Sequence, residues 1–214
     1  MSEVRRLWIP GPAGRLEAAL RIAERPLATA VVAHPHPLHG GTLDNAVVFH
    51  AERELHRAGL TTLRFNFRGV GGSEGQHDDG HGEVEDVAAA VAWLRGLGDS
   101  VPALLVGYSF GSWCAIRCAL GDPSIRGVVA IGLPVSIYDL APPVASLGRP
   151  LAVIQADADE FGSLDAVREV LAHARPPALL RVVPGTTHLF PGKARQAAAE
   201  VVAAVQQLGS GLES

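Results

Sequence analysis

Little in this sequence invites redox, nucleic-acid or membrane chemistry. Cysteine is limited to two residues, Cys114 and Cys118, one helical turn apart and not in the C-x-x-C spacing of catalytic pairs. They read as small buried thiols in a reducing compartment, not as a disulfide framework or a redox pair. Basic residues are not in excess: 18 Lys and Arg stand against 22 Asp and Glu, for a net charge of −4. No basic block breaks that balance, which argues against a nucleic-acid partner. No apolar run approaches the length of a membrane span. The opening residues, Met1 to Pro10, hold no apolar core of signal-peptide length, so the expected location is cytoplasmic with no membrane partner. Internal repeats, low-complexity blocks and linkers are missing as well.

What remains is a chain of 214 residues, 48% of them hydrophobic, enough for one well-buried core. The reading is a single domain over residues 1–208, followed by a frayed tail at 209–214. Arg15 to Ile22 alternates like an antiparallel edge strand after the turn Gly11-Pro12-Ala13-Gly14. Short apolar runs at Thr29–Ala33, Thr61–Phe65, Ala103–Val106, Arg126–Ile131, Leu151–Gln155 and Leu179–Val183 read as strands. Helical spacing covers Asp44–Arg57, Gly82–Leu97, Ser112–Leu120, Leu164–Ala174 and Ala194–Leu208. Strands and helices alternate, and most strands are continuously apolar, as if buried on both faces. That pattern predicts the α/β class: a mainly parallel, twisted sheet with helices on both sides.

The stretch between the Ala103–Val106 run and the helix after it reads Gly107-Tyr108-Ser109-Phe110-Gly111, the G-x-S-x-G pattern of a nucleophile elbow. A serine on so sharp a strand-to-helix turn is pushed into the open. Glycines two residues to either side let strand and helix approach. The helix that follows directs its positive end at the charge that forms during acyl transfer.

A serine hydroxyl needs a base, and the base needs an orienting acid. On a sheet of this kind the chain order is serine, carboxylate, histidine. Only His173 and His188 follow Ser109. His173 falls within a helix, whereas His188 lies in a loop directly after a strand, where a base reaches back across the sheet edge. The acid belongs after the strand that ends at Gln155, where Asp157, Asp159, Glu160 and Asp165 are all candidates. Two backbone N–H groups must receive the oxyanion. One is that of Phe110, next to the serine; the other belongs to the loop His34-Pro35-His36-Pro37-Leu38-His39-Gly40-Gly41. Pro35 and Pro37 have no N–H, so His36 and Leu38 are the nearest donors, and His36 is preferred. The loop's three histidines lack a cysteine or carboxylate at ligand spacing, so neither a metal nor any other cofactor is expected.

His34-Pro35-His36-Pro37, Gly40-Gly41-Thr42 with Asn45, and Arg64-Phe65-Asn66-Phe67-Arg68-Gly69-Val70-Gly71 with Ser73 and Gly75 continue into the elbow, Ile154–Glu160 and Thr187–Phe190. Together they resemble a bacterial family within the α/β-hydrolase superfamily, small hydrolases related to dienelactone hydrolase and described as predicted esterases. The resemblance covers nearly the whole chain. It implies an α/β-hydrolase fold with Ser109 as nucleophile, Asp159 as acid and His188 as base. Ala156 stands where the family carries glycine, and dienelactone hydrolase itself uses a cysteine nucleophile, so its substrate does not transfer.

These readings converge on a serine hydrolase that cleaves carboxylic esters or thioesters, its partner a small ester. A small peptidase or amidase, and an inert hydrolase fold kept for binding, are the alternatives. Leu38, Tyr108, Phe161 and Phe190 are candidates to line the substrate pocket. The crossover from Gly132 to Pro150 is too short to add a cap or lid, which predicts an open site favouring short acyl chains.

Overall fold

The computed structural model describes residues 3–98 and 101–209. Of the tail expected at 209–214, Gly209 belongs to the last helix, and residues 210–214 lie outside the described residues. The elements run β1 (Arg5–Gly11), β2 (Gly14–Arg21), β3 (Thr29–Ala33), α1 (Ala46–Arg57), β4 (Thr61–Phe65), α2 (His81–Arg95) and β5 (Ala103–Tyr108). They continue with α3 (Phe110–Gly121), β6 (Ile125–Ile131), α4 (Ala141–Ser146), β7 (Leu151–Ala156), α5 (Leu164–Leu171), β8 (Leu179–Val183) and α6 (Ala194–Gly209). One eight-stranded sheet has the order β1-β2-β4-β3-β5-β6-β7-β8. Strands β3 to β8 run parallel to one another, while β2 pairs antiparallel with both β1 and β4.

Burial on both faces follows from strict alternation. Val31, Leu105, Val128 and Val153 point into one core, which α2, α3, α4 and α5 cover. Ala30, Val106, Val129 and Ile154 point into the other, which α1 and α6 cover. Successive side chains of a strand face opposite sides, so a strand between two helix layers must be apolar throughout. Cys114 and Cys118 are free and buried in the first core. Burial pushes the Cys114 thiol well up and that of Cys118 up to about 12, so both stay protonated. No helix among the described residues is long and apolar enough to cross a membrane.

Two elements depart from the sequence expectation. The strand from Gly14 is not an edge: β1 pairs along its whole length and takes that place. In β1 only Ile9 is buried, so the strand carries almost no apolar alternation to read, and an edge position tolerates Pro10. The crossover between β6 and β7 holds a six-residue helix, α4, with Pro142 and Pro143 in its first turn. There a missing N–H costs nothing, although in sequence the two prolines look like a helix breaker.

The parallel register aligns the carboxyl ends of the strands. Ala33 lies opposite Gly107, Tyr108 opposite Ile131, Ile131 opposite Ile154 and Ala156 opposite Val183. Strand order reverses between β3 and β5, which opens a crevice beyond their ends. The candidate site residues gather at this edge, on its loops and on the adjoining ends of β5 and α3.

Candidate active site

Ser109 is the hinge between β5 and α3, held at φ 54° and ψ −119°. Few residues sit at positive φ without strain, and the surroundings enforce it here. The Ser109 N–H donates to the Ile131 carbonyl at 2.8 Å, and its own carbonyl accepts from Ser112 N–H (2.8 Å) and Ser112 Oγ (2.6 Å). The two flanking glycines allow the close approach. A Cβ on Gly107 would run into the Gly111 carbonyl, and one on Gly111 would stand 2.5 Å from the Ala33 carbonyl oxygen.

His188 lies beyond β8 and Asp159 beyond β7. The structure brings them together with Ser109: His188 Nε2 is 2.8 Å from Ser109 Oγ, and His188 Nδ1 is 2.9 and 3.0 Å from the two Asp159 oxygens. Both Asp159 and His188 are buried, whereas Ser109 is half-exposed. The carboxylate fixes the proton on Nδ1, which leaves Nε2 to accept from the serine hydroxyl. Such a chain lets the imidazole take the hydroxyl proton while the carboxylate stabilises the resulting cation.

The other three carboxylates do different work. Asp157 accepts from the backbone N–H groups of Gly185 (2.8 Å) and Thr186 (3.1 Å), which hold its carboxyl below the ordinary value. Glu160 accepts from His188 N–H at 3.0 Å, and that bond likewise lowers its pKa. Asp165 is exposed and pairs with Arg168 one turn along α5. Asp157 and Glu160 thus stitch the loop of Asp159 to the loop of His188. Tyr108 adds a further tie from below, its hydroxyl donating to the His188 carbonyl at 2.8 Å.

The loop after β3 is shaped from within. The His36 carbonyl accepts from His39 and Gly41 N–H groups at 3.1 Å, and His36 Nδ1 accepts from Leu38 N–H at 3.2 Å. This makes a single 3-10 turn at Pro37–His39. The His36 ring packs 4.9 Å from that of Phe110, so the two residues expected to supply N–H donors lie side by side. Phe110 opens α3, where an N–H has no acceptor within the helix.

Beneath the loop, His34 is fully buried between two backbone groups. Its Nε2 accepts from Phe67 N–H at 3.0 Å, and its Nδ1 donates to the Pro35 carbonyl at 2.6 Å. Burial holds this imidazole neutral, with a pKa lowered to about 4. The Arg64–Arg68 stretch anchors the neighbouring loops: Asn66 Oδ1 accepts from Leu43 N–H at 2.7 Å, and Arg68 Nη2 meets Asp86 at 2.8 Å. Among the described residues no group of three His, Cys, Asp or Glu is placed to hold a metal ion.

Ser109 and His188 open onto a cleft of about 300 Å³. Of the four candidates for its wall, Tyr108 and Phe161 line this cleft; Leu38 and Phe190 do not. Leu38 is 70% exposed, and Phe190 is sealed in the core against Tyr108. Phe110 and parts of the His36–Gly41 loop also line it, with Asn45, Ile137, Tyr138 and Leu189. Asn45 and Leu189 fall within stretches that carry the family resemblance; Ile137 and Tyr138 come from the crossover, whose course no local pattern predicts.

A family model described as alpha/beta hydrolase fold matches residues 38–145. An uncharacterised protein of Rickettsia prowazekii is 39% identical over 170 residues, which cover 77% of this chain and 71% of that protein. An alpha-beta serine hydrolase homologue from Coxiella burnetii has 32% identity and a TM-score of 0.87, covering 95% of this chain and 97% of the other. A serine hydrolase without a lid from Xanthomonas campestris has 32% identity and a TM-score of 0.86, with 97% and 95% covered.

Proposed function

Because the chain belongs to the alpha/beta hydrolase fold family, we infer that it is a serine hydrolase cleaving carboxylic esters through an acyl-enzyme. The observation that carries this reading is the continuous chain Ser109–His188–Asp159, with both links between 2.8 and 3.0 Å. Ser109 Oγ attacks the ester carbonyl as His188 Nε2 takes its proton. Asp159 stabilises the imidazolium and holds its tautomer. The backbone N–H groups of Phe110 and His36 receive the negative oxygen of the tetrahedral intermediate, aided by the N-terminus of α3. His188 then passes its proton to the departing alcohol. Water, deprotonated by the same imidazole, attacks the acyl-serine, and Ser109 is released with its proton restored.

The fold supports an ester over a larger substrate. The β6–β7 crossover spends its residues on a single short helix and a return to the sheet, so among the described residues no cap encloses a long chain or a peptide. With a cleft of about 300 Å³, binding energy from remote parts of a substrate is small, and short acyl chains are preferred. A fluorophosphonate probe tests the assignment. The expected result is one covalent adduct, mapped by peptide mass spectrometry to Ser109. Absence of any adduct on folded protein, or an adduct on another serine alone, overturns it.

A further inference from the structure

Aromatic residues make up only 5% of the chain, yet both of its tyrosines and two of its six phenylalanines line the one cleft beside Ser109. Two imidazoles join them: His36 and His39 stack with ring centres 4.6 Å apart and 25° between planes. Among the described residues, no side chain lining the cleft is a carboxylate, an ammonium or a guanidinium. Burial, and then the neighbouring His39 and His77, hold the His36 pKa below its ordinary value, so that ring is uncharged at neutral pH. The lining thus offers ring faces and edges, with no charged partner for an ion.

The aromatic wall is also fixed before any substrate arrives. The Phe161 N–H donates to Asp159 Oδ1 at 2.9 Å, and its carbonyl accepts from Ser136 N–H (3.0 Å) and Ser136 Oγ (2.9 Å). Phe161 is therefore tied on one side to the acid turn and on the other to the crossover that carries Tyr138. Its ring meets that of His188 edge-on, 4.8 Å away. Tyr138 stacks on Trp113 at 5.0 Å, and Trp113 in turn on Phe110 at 5.8 Å. Rings held this way lose little freedom when a ligand packs against them, which is where preorganised sites gain affinity.

We propose that the cleft selects uncharged esters bearing an aromatic ring close to the scissile carbonyl, seated against Phe161 and Tyr138. This rests on the ester-hydrolase reading above and goes on to name the substrate class. An aromatic ring gains offset and edge-to-face contacts that a saturated ring of equal size lacks. An ionic substituent loses its water in this cleft and meets no opposite charge.

The test compares kcat/KM for matched pairs by pH-stat titration. Ethyl phenylacetate against ethyl cyclohexylacetate reads an aromatic acyl group; benzyl propanoate against cyclohexylmethyl propanoate reads an aromatic alcohol. In at least one pair the aromatic ester is favoured about fivefold, and the ratio falls toward one in Phe161→Leu or, as a second variant, Tyr138→Leu. Diethyl succinate is favoured over its singly charged monoethyl ester by about tenfold or more at neutral pH. Ratios near one in both ring pairs, a preference for the saturated rings, or no discrimination against the anion overturns the proposal while ester hydrolysis stands. A protein that hydrolyses none of these esters and takes no fluorophosphonate label overturns the underlying reading, and the proposal with it.

Discussion

Asp157 and Asp159, two residues apart on one turn, take different partners. Asp159 meets the His188 ring through both oxygens, whereas Asp157 is taken up by the backbone N–H groups of Gly185 and Thr186. One orients an imidazole; the other holds the loop on which that imidazole rides.

The two carboxylates therefore separate by mutation. Asp159→Asn leaves His188 in the wrong tautomer and lowers kcat on the order of ten-thousand-fold. Asp157→Asn keeps an oxygen for one of its two N–H partners and changes kcat by less than about tenfold. Turnover of p-nitrophenyl acetate by the two purified variants checks this, and the reverse ranking would assign the acid to Asp157.

How much of this was legible in the sequence divides along local and non-local lines. Thr29–Ala33, Thr61–Phe65 and Leu179–Val183 match their strands to the residue, because each is a short apolar run bounded by turns. The elbow was equally plain, since its two glycines answer a backbone contact that any strand–turn–helix of this kind must make. β1 was not legible, because an edge strand with one buried residue has no alternation to show. Nor was the side of the cleft that the crossover supplies. Ile137 and Tyr138 reach the site on a crossover tied down by non-local contacts, among them the bond from Ser136 to Phe161, a residue 25 positions away. Phe190 looked like a pocket residue beside His188, but with φ at 51° the chain turns there and its ring enters the core.

His34 makes stability depend on pH. Its pKa is about 4 when folded against an ordinary 6.5, so between those values the unfolded chain binds the extra proton. Stability then falls as pH drops from 6.5 toward 4, by roughly 3 kcal/mol from this residue alone. Denaturant unfolding at several pH values shows that loss, and His34→Gln has a shallower slope across the same window. Parallel slopes for the two proteins would remove His34 as the cause.

Access to the cleft is read from chain length. For p-nitrophenyl acetate, butyrate, octanoate and palmitate, kcat/KM is highest for the two short esters and shows no step at the onset of micelles. A jump in rate as substrate aggregates, or a preference for palmitate, would mean a covered or deeply grooved site.

The central claim is that the Ser109 hydroxyl is the nucleophile, and the most direct measurement is the turnover of p-nitrophenyl acetate by folded Ser109→Ala. Circular dichroism and thermal unfolding establish that the variant keeps the wild-type fold. The account predicts that kcat drops on the order of a million-fold, to the uncatalysed background or close to it. Turnover near that of the wild type, from a folded Ser109→Ala protein, would contradict it.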